Sequence, residues 1–371
     1  MKQVNLLTDS PRRLFFHYLG PTIGSSMVTS IYILADTIMV GQGVGDAGLA
    51  ALTIFMPIVA SFFALGLLLG VGGGVLMSVA KGSGNESLAH KYFSTAMISA
   101  AVVSVCFAVF GAIFFDPMMY ALGADTTNIE LVRGYGLCYT VSAPLFIFSS
   151  SLQSFIRNDK SPRHAMIAVL TGSGLNILLD YLFIFVFKMG MFGASFATSI
   201  GTSITVCILV IHFFTKKNTM RFSFRFFSIK ALWEIAKCGF SSFLIECANA
   251  VLVFVFNHTL LKYIGSVGVT VYSIMSNVAV VCMSLFNGVT LAAQPIIATN
   301  HGADNHKRVL QVRHIGTITS SVIAVIIFCV GFFFPDLLIY SYVKGPTPEI
   351  LELARYALRI YFFAYLFMNF N

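Results

Sequence analysis

Three carboxylate side chains, Asp36, Asp180 and Glu246, lie inside long apolar stretches of this 371-residue chain. Asp180 stands in the segment LTGSGLNILLDYLFIF, and Asn176 precedes it by four residues. Residues four apart share one face of a helix, so the amide and the carboxylate point the same way. Acids inside a membrane usually face a bundle interior and serve ions or substrates. These three are therefore the first candidates for a functional site.

The composition predicts where these acids lie. Hydrophobic residues make up 57% of the chain and charged residues 10%, against roughly 45–50% and 25% in soluble domains. The mean hydropathy is +0.85. So few charges do not cover the surface of a soluble protein, and we predict an all-α, multi-pass membrane protein. The seven cysteines form no CxxC pair, so neither a zinc site nor a disulfide framework is indicated.

The apolar segments predict about ten membrane-spanning helices, since one span needs about 20 mainly apolar residues. The predicted spans are 14–40, 49–80, 92–115, 132–156, 165–187, 192–214, 236–262, 267–300, 314–334 and 353–370. Most of the 23 Lys and Arg residues fall on one side if the N-terminus is inside. The positive-inside rule then predicts a cytoplasmic N-terminus, in a plasma-membrane protein. The basic residues are spread over separate segments, which gives nucleic-acid binding little support.

The chain repeats itself loosely at an offset near 220. GDAGLAALTIF, from residue 45, is similar to GSVGVTVYSIM, from residue 265. A repeat of six spans returns to its starting side, which predicts two lobes related by a pseudo-two-fold axis along the membrane normal. We predict a six-helix lobe at 1–214, a linker with an amphipathic helix on the inner leaflet at 215–235, and a second lobe at 236–371. We expect this second lobe to be incomplete, with four of six helices.

The sequence resembles the multidrug and toxic compound extrusion (MATE) family over nearly the whole chain. The residues that carry the resemblance are Pro21, Asp36, Asn176, Asp180 and Thr198, with the segments IRNDKSPRHAM and AAQPIIATNHGA. The resemblance implies export of organic cations or other xenobiotics by two alternating lobes, driven by sodium or protons. Lys160 departs from the family pattern, which often has glycine there. The last predicted span also lacks the acid that some members carry.

Spacing places the family's site residues at similar depth. Asp36 lies roughly 6 Å, Asp180 about 10 Å and Thr198 about 9 Å below the predicted outer ends of their spans, at about 1.5 Å per residue. We therefore expect Asp36, Asn176, Asp180 and Thr198 to form one cation site. Carboxylate, amide and hydroxyl oxygens suit sodium. Burial and mutual repulsion also favour a shared proton, and both alternatives stay open.

Three other polar residues are candidates for the substrate cavity. Glu246 lies roughly 24 Å from the predicted outer end of its span, and we expect it to attract cationic substrates. Asn257 and Gln294 are weaker candidates, because they also suit bonds between helices. Pro21 is either a hinge that responds to Asp36 or a static kink. We expect a monomer without a cofactor, which exchanges its substrate for Na⁺ or H⁺.

Three other functions fit the sequence less well than an antiporter does. A flippase for a lipid-linked precursor is the main alternative, but it needs cationic side chains in its cavity. The first six spans have acids and no basic residue in their middle. An intramembrane enzyme needs a metal or nucleophile motif such as HExxH, which this sequence lacks. The two-lobed duplication disfavours a channel.

Overall fold

The computed structural model describes residues 4–342 and 347–368, apart from the side chains at positions 250, 253, 254, 257, 258, 261, 266, 269, 341 and 342. Within this part of the chain the fold is helical and has no strand, so the all-α prediction is confirmed. The helices are α1 (Pro11–Gly43), α2 (Asp46–Gly82), α3 (Glu86–Ile113), α4 (Phe115–Ala121), α5 (Ile129–Val141), α6 (Ala143–Asn158), α7 (Pro162–Asp180), α8 (Gly190–Ile211), α9 (Ile229–Tyr263), α10 (Ser266–Gly302), α11 (His306–Phe333), α12 (Pro335–Tyr342) and α13 (Pro348–Met368).

Each of the ten predicted spans corresponds to a helix or, for 132–156, to a bent pair. Seven described helices are long and apolar enough to cross a membrane, and α5 with α6 makes eight if the pair is one span. The two bend by 52° at Ser142, just before Pro144, where proline disfavours continued helix. The helices of the other two predicted spans, α9 and α13, do not meet this criterion of length and hydropathy within the described residues. α13 carries three charges within residues 352–359, and α9 contains side chains outside the described set.

The repeat in the sequence is also present in the fold. α10 begins and ends 220 residues after α2, and α11 begins and ends 220 residues after α3. Gly45 and Gly265 precede α2 and α10 with φ of 90° and 76°, which favours glycine. Asn85 and Asn305 cap α3 and α11 with their side chains. We call the end with the turns at 83–85 and 303–305 the basal end, and the opposite end the apical end.

The buried apolar residues form three cores. The first belongs to α2–α8 and extends to Ala231 and Ile235 of α9. The second belongs to α10–α13. The third lies between the two bundles, where Phe15 and Tyr18 of α1 pack on α10 and α11 together with Leu6. The first half of α1 therefore packs against the second bundle.

Glycines allow the two bundles to meet closely at the basal end. A Cβ added to Gly82 would overlap the carbonyl oxygen of Thr299, and a Cβ added to Gly302 would overlap that of Val79. Gly239 of α9 meets the backbone of α2 in the same way. Small residues at helix crossings let backbones approach in a membrane, where van der Waals packing replaces the hydrophobic effect. We call this contact the basal seam.

Residues 215–228 connect the bundles along the basal end. They contain a 3₁₀ turn at Phe224–Phe226, and α9 begins at Ile229. Ser228 caps α9 by accepting the N–H of Ala231. The predicted amphipathic helix at 215–235 therefore corresponds only to the first residues of α9.

Candidate cation site

The four predicted cation-binding residues lie on three helices of the first bundle. Asp36 is on α1, Asn176 and Asp180 are on α7, and Thr198 is on α8. Their exposed fractions are 8%, 3%, 0% and 5%, so all four are buried. Polar groups removed from water in this way need partners, and their contacts decide what the site can hold.

A hydrogen bond joins two of the four residues directly. Asn176 Nδ2 donates to Thr198 Oγ1 at 3.2 Å. Asp36 and Asp180 are near enough for their charges to interact, and both act on Tyr32 of α1. The close approach of α7 and α8 has a local cause, because a Cβ at Gly201 would lie 2.9 Å from the Cβ of Asn176.

Within the described part of the chain, four oxygen atoms of this site have no hydrogen-bond partner. They are Asp36 Oδ1, Asn176 Oδ1 and both carboxyl oxygens of Asp180. Buried oxygens without partners are costly, and native proteins leave few of them. The donor set of carboxylate and amide oxygens fits a hard cation such as sodium, and it equally fits a proton. Among the described residues, no group of three or more His, Cys, Asp or Glu could hold a metal ion.

An aromatic wall beside the site was not predicted from the sequence. Tyr135 and Tyr139 of α5 are both 3% exposed, and the charge of Asp36 acts on each. Tyr139 stacks on Phe146 with ring centroids 4.2 Å apart, and it also stacks on Phe62. Tyr135 and Tyr139 lie four residues apart in GYGLCYT, and this spacing places both rings on one helix face. The spacing is the sequence feature that indicates such a wall.

A local change of helix type also went unpredicted. α7 ends at Asp180 and continues as a π-helical turn over Tyr181–Val186. Such turns are rare and often lie at functional sites. Here the turn begins at Tyr181, directly after Asp180.

The other predicted residues lie apart from this group. Pro21 is buried within α1, and its neighbour Thr22 donates to the carbonyl oxygen of Gly288 at 2.7 Å. Glu246 on α9 and Gln294 on α10 are half-buried. Within the described part of the chain, no hydrogen bond or ion pair joins either of them to the four site residues. Asn257 lies on α9, and its side chain is outside the described residues.

A second polar group, the Asp159 cluster, lies at the basal end of the first bundle. The Asp159 carboxylate is 1% exposed and accepts from Lys81 at 2.6 Å and from His212 at 2.8 Å. It also accepts from the backbone N–H and the hydroxyl of Thr219. Burial alone would raise the pKa of Asp159, but the His212 hydrogen bond and the Lys81 charge outweigh it and lower the pKa. The cluster ties α2, α6, α8 and the linker together.

Comparison with known proteins identifies the family. The sequence profile named MatE matches residues 21–182 and 238–371, which is most of the chain. This chain is a member of the MATE family of transporters. Its membership makes it a transporter and not an enzyme, and the two-lobed architecture predicted from the repeat is confirmed.

Relatives of this MATE transporter have names that indicate export. The multidrug export protein MepA of Staphylococcus haemolyticus is 25% identical over 350 residues, which is 94% of this chain and 76% of the relative. MepA of Staphylococcus saprophyticus is 28% identical over 292 residues, which is 78% of this chain and 64% of the relative. This chain thus spans about two thirds to three quarters of these relatives.

Solved structures share the fold. One is described as the outward-facing conformation of a multidrug resistance MATE family transporter of the MOP superfamily. It matches with a TM-score of 0.93 at 23% identity, over 100% of this chain and 82% of that one. Another, described as MATE in the straight conformation, gives 0.92 at 23% identity over the same shares.

Proposed function

We propose that this MATE transporter exports organic cations and related xenobiotics in exchange for inward-moving sodium ions or protons. The buried carboxyls of Asp36 and Asp180, with their unpartnered oxygens, carry this proposal. An antiporter needs a site that holds the coupling ion in one state and releases it in another. Burying a pair of carboxylates inside the membrane costs little free energy only when an ion or a proton is bound to them. The export function of the MepA relatives supports the direction of transport.

In the proposed transport cycle, the two bundles move relative to each other. Residues 1–214 and 236–371 act as lobes, and 215–235 act as the linker between them. The basal seam closes one side of the path between the lobes, and its opening gives access to the cytoplasm. Binding of the coupling ion changes the charge of the Asp36 site on α1. The first half of α1 packs on the second bundle, so α1 transmits this change to that bundle through the third core, with Pro21 as its hinge.

The substrate occupies the space between the lobes. Glu246 attracts its positive charge, and Gln294 contributes polar contacts in the wall. The protein acts as a monomer in the plasma membrane with a cytoplasmic N-terminus. It needs no cofactor apart from the coupling ion, Na⁺ or H⁺.

The decisive experiment separates the two coupling ions. Purified protein is reconstituted into vesicles, and export of a fluorescent organic cation such as ethidium is measured. Sodium and proton gradients are imposed one at a time. We expect one gradient to drive export in the native protein and neither to drive it in Asp36→Asn. Equal export with and without gradients in the native protein would contradict an antiporter.

A further inference from the structure

The linker and the start of α9 present an unusual surface at the basal end. We call residues 214–237 the basal collar. Five of its aromatic side chains are largely exposed, among them Phe214 at 85%, Phe224 at 76% and Trp233 at 64%. Single exposed apolar residues are common, but a contiguous exposed set indicates a surface that contacts something other than water.

The charge of the basal collar is strongly positive. Its six basic residues are Lys216, Lys217, Arg221, Arg225, Lys230 and Lys237. Glu234 is its one acidic residue, and it accepts a hydrogen bond from Tyr92 at 2.6 Å. Lys237 also lies over the ring of Trp233, 5.2 Å from its centroid. Exposed basic and aromatic side chains are therefore interspersed along residues 214–237.

Hydrogen bonds hold this surface in place. Ser94 of α3 donates to the carbonyl oxygen of Arg221 at 3.3 Å, and Thr95 donates to that of Phe226 at 3.3 Å. Met220 is 3% exposed and anchors the linker in the first core. Thr219 joins the linker to the Asp159 cluster. The collar is thus formed before any ligand binds, which lowers the entropy lost on binding.

The chemistry of the collar matches one partner. Aromatic rings prefer the boundary between lipid tails and headgroups, and Lys and Arg side chains extend from that boundary to phosphates. Clusters of four to eight basic residues beside a membrane span favour anionic lipids. Soluble acidic proteins would satisfy the charges but not the exposed rings, which need an apolar layer.

We propose that the basal collar is a preformed binding surface for the phosphate headgroups of anionic phospholipids in the leaflet at the basal end. The collar begins where the first bundle ends and runs into α9, so headgroups bound across Arg225 and Lys230 contact both the linker and the start of α9. Anionic lipid therefore stabilises the position of the linker during transport. Lipid binding itself does not depend on which substrate is transported, so it is tested separately from the proposed export.

Trp233 is the only tryptophan in the chain, which makes the test specific to the collar. The whole chain is reconstituted in phosphatidylcholine vesicles with a minor fraction of phosphatidylglycerol. Either lipid is brominated, at equal mole fraction, and quenching of tryptophan fluorescence is measured. We expect brominated phosphatidylglycerol to quench about twofold more than brominated phosphatidylcholine, and high salt to remove the difference.

Two variants decide the assignment. The double variant Arg221→Gln with Arg225→Gln replaces exposed side chains and should bring the two quenching values together. Lys262→Gln is the matched control, because Lys262 lies over the Tyr263 ring at the apical end, away from the collar. Equal quenching by both lipids in the native protein would overturn the proposal, and so would a preference that the double variant retains.

Discussion

At the scale of single residues, a substitution at Asp36 tests the proposed cation site. Asp36→Asn keeps the size of the side chain and removes its charge. We expect gradient-driven export to fall to the level of empty vesicles, while the protein still inserts and purifies, because losing a buried charge does not oppose membrane insertion. Thr37→Ala, the next residue on α1, is the control, since its hydroxyl donates to the carbonyl oxygen of Ile33 in its own helix. Full export by Asp36→Asn would show that the coupling ion binds elsewhere.

Thr198 distinguishes a sodium site from a proton site. Its hydroxyl accepts from Asn176 and donates to the backbone of Ala194. Thr198→Val keeps the shape and removes an oxygen that a sodium ion could use. If sodium is the coupling ion, the sodium concentration for half-maximal export should rise about tenfold, as expected for a lost bond to a charged group. If the proton is the coupling ion, the pH profile and the rate should change little.

Asp159 links stability to pH. Its lowered pKa means that its ionised form stabilises the fold at any pH above about 3.9, its value when unfolded, and that this contribution is lost as pH falls through the lower folded value. Asp159→Asn leaves Lys81 and His212 without their partner and should cost about 3 kcal/mol at neutral pH. The measurement is the unfolding midpoint of the detergent-solubilised protein against pH. The native midpoint should fall in acid more steeply than that of the variant, and Glu86→Gln, an exposed site, should match the native curve.

At the scale of helices, the sequence predicted most of what positions the site. Apolar length predicted the helices. The expectation that Asp36, Asp180 and Thr198 lie at one depth stays a prediction. Which of these side chains interact is known only from the structure, because a common depth does not determine which helix faces are in contact. Tyr135, the π-helical turn and the Asp159 cluster went unpredicted because they depend on tertiary packing between distant segments.

The basal seam is a helix-scale feature with a direct test. Gly82→Ala adds a Cβ that would overlap the carbonyl oxygen of Thr299, a backbone atom that moves only with its helix. We expect α2 and α10 to separate at this end, so that hydrogen exchange of amides in residues 77–82 and 296–302 becomes faster. Gly20→Ala on α1 is the control, since nothing lies within 4 Å of its added Cβ. Unchanged exchange in Gly82→Ala would mean that the seam tolerates the added side chain.

At the scale of the whole molecule, the start of the chain joins the two bundles. Arg308 of α11 donates to the carbonyl oxygens of Leu6 at 3.2 Å and Asp9 at 2.6 Å, and to Asn300 Oδ1 at 2.9 Å. Asn300 also donates to Leu6. These bonds fasten residues 4–9 over the third core, between α1 and the second bundle.

Arg308→Ala should release this segment. Three hydrogen bonds are lost, and we expect limited proteolysis to cut within residues 4–9 at least several-fold faster, because cleavage follows the population of the open form. Arg313→Ala, an exposed arginine on the same helix, should leave the rate unchanged. Equal cleavage of both variants and the native protein would show that the apolar contact of Leu6 is sufficient.

The reciprocal contacts of Gly82 and Gly302 have a consequence for how substitutions act on the crossing of α2 and α10. In these two repeats the same glycine of equivalent helices meets the backbone of the other copy, as it would in a symmetric dimer. In a symmetric dimer of single repeats, one substitution would alter both sides of such a crossing at once. In a single chain each side is encoded separately, so a substitution at Gly82 leaves Gly302 unchanged. The two sides of the crossing can therefore vary independently of each other.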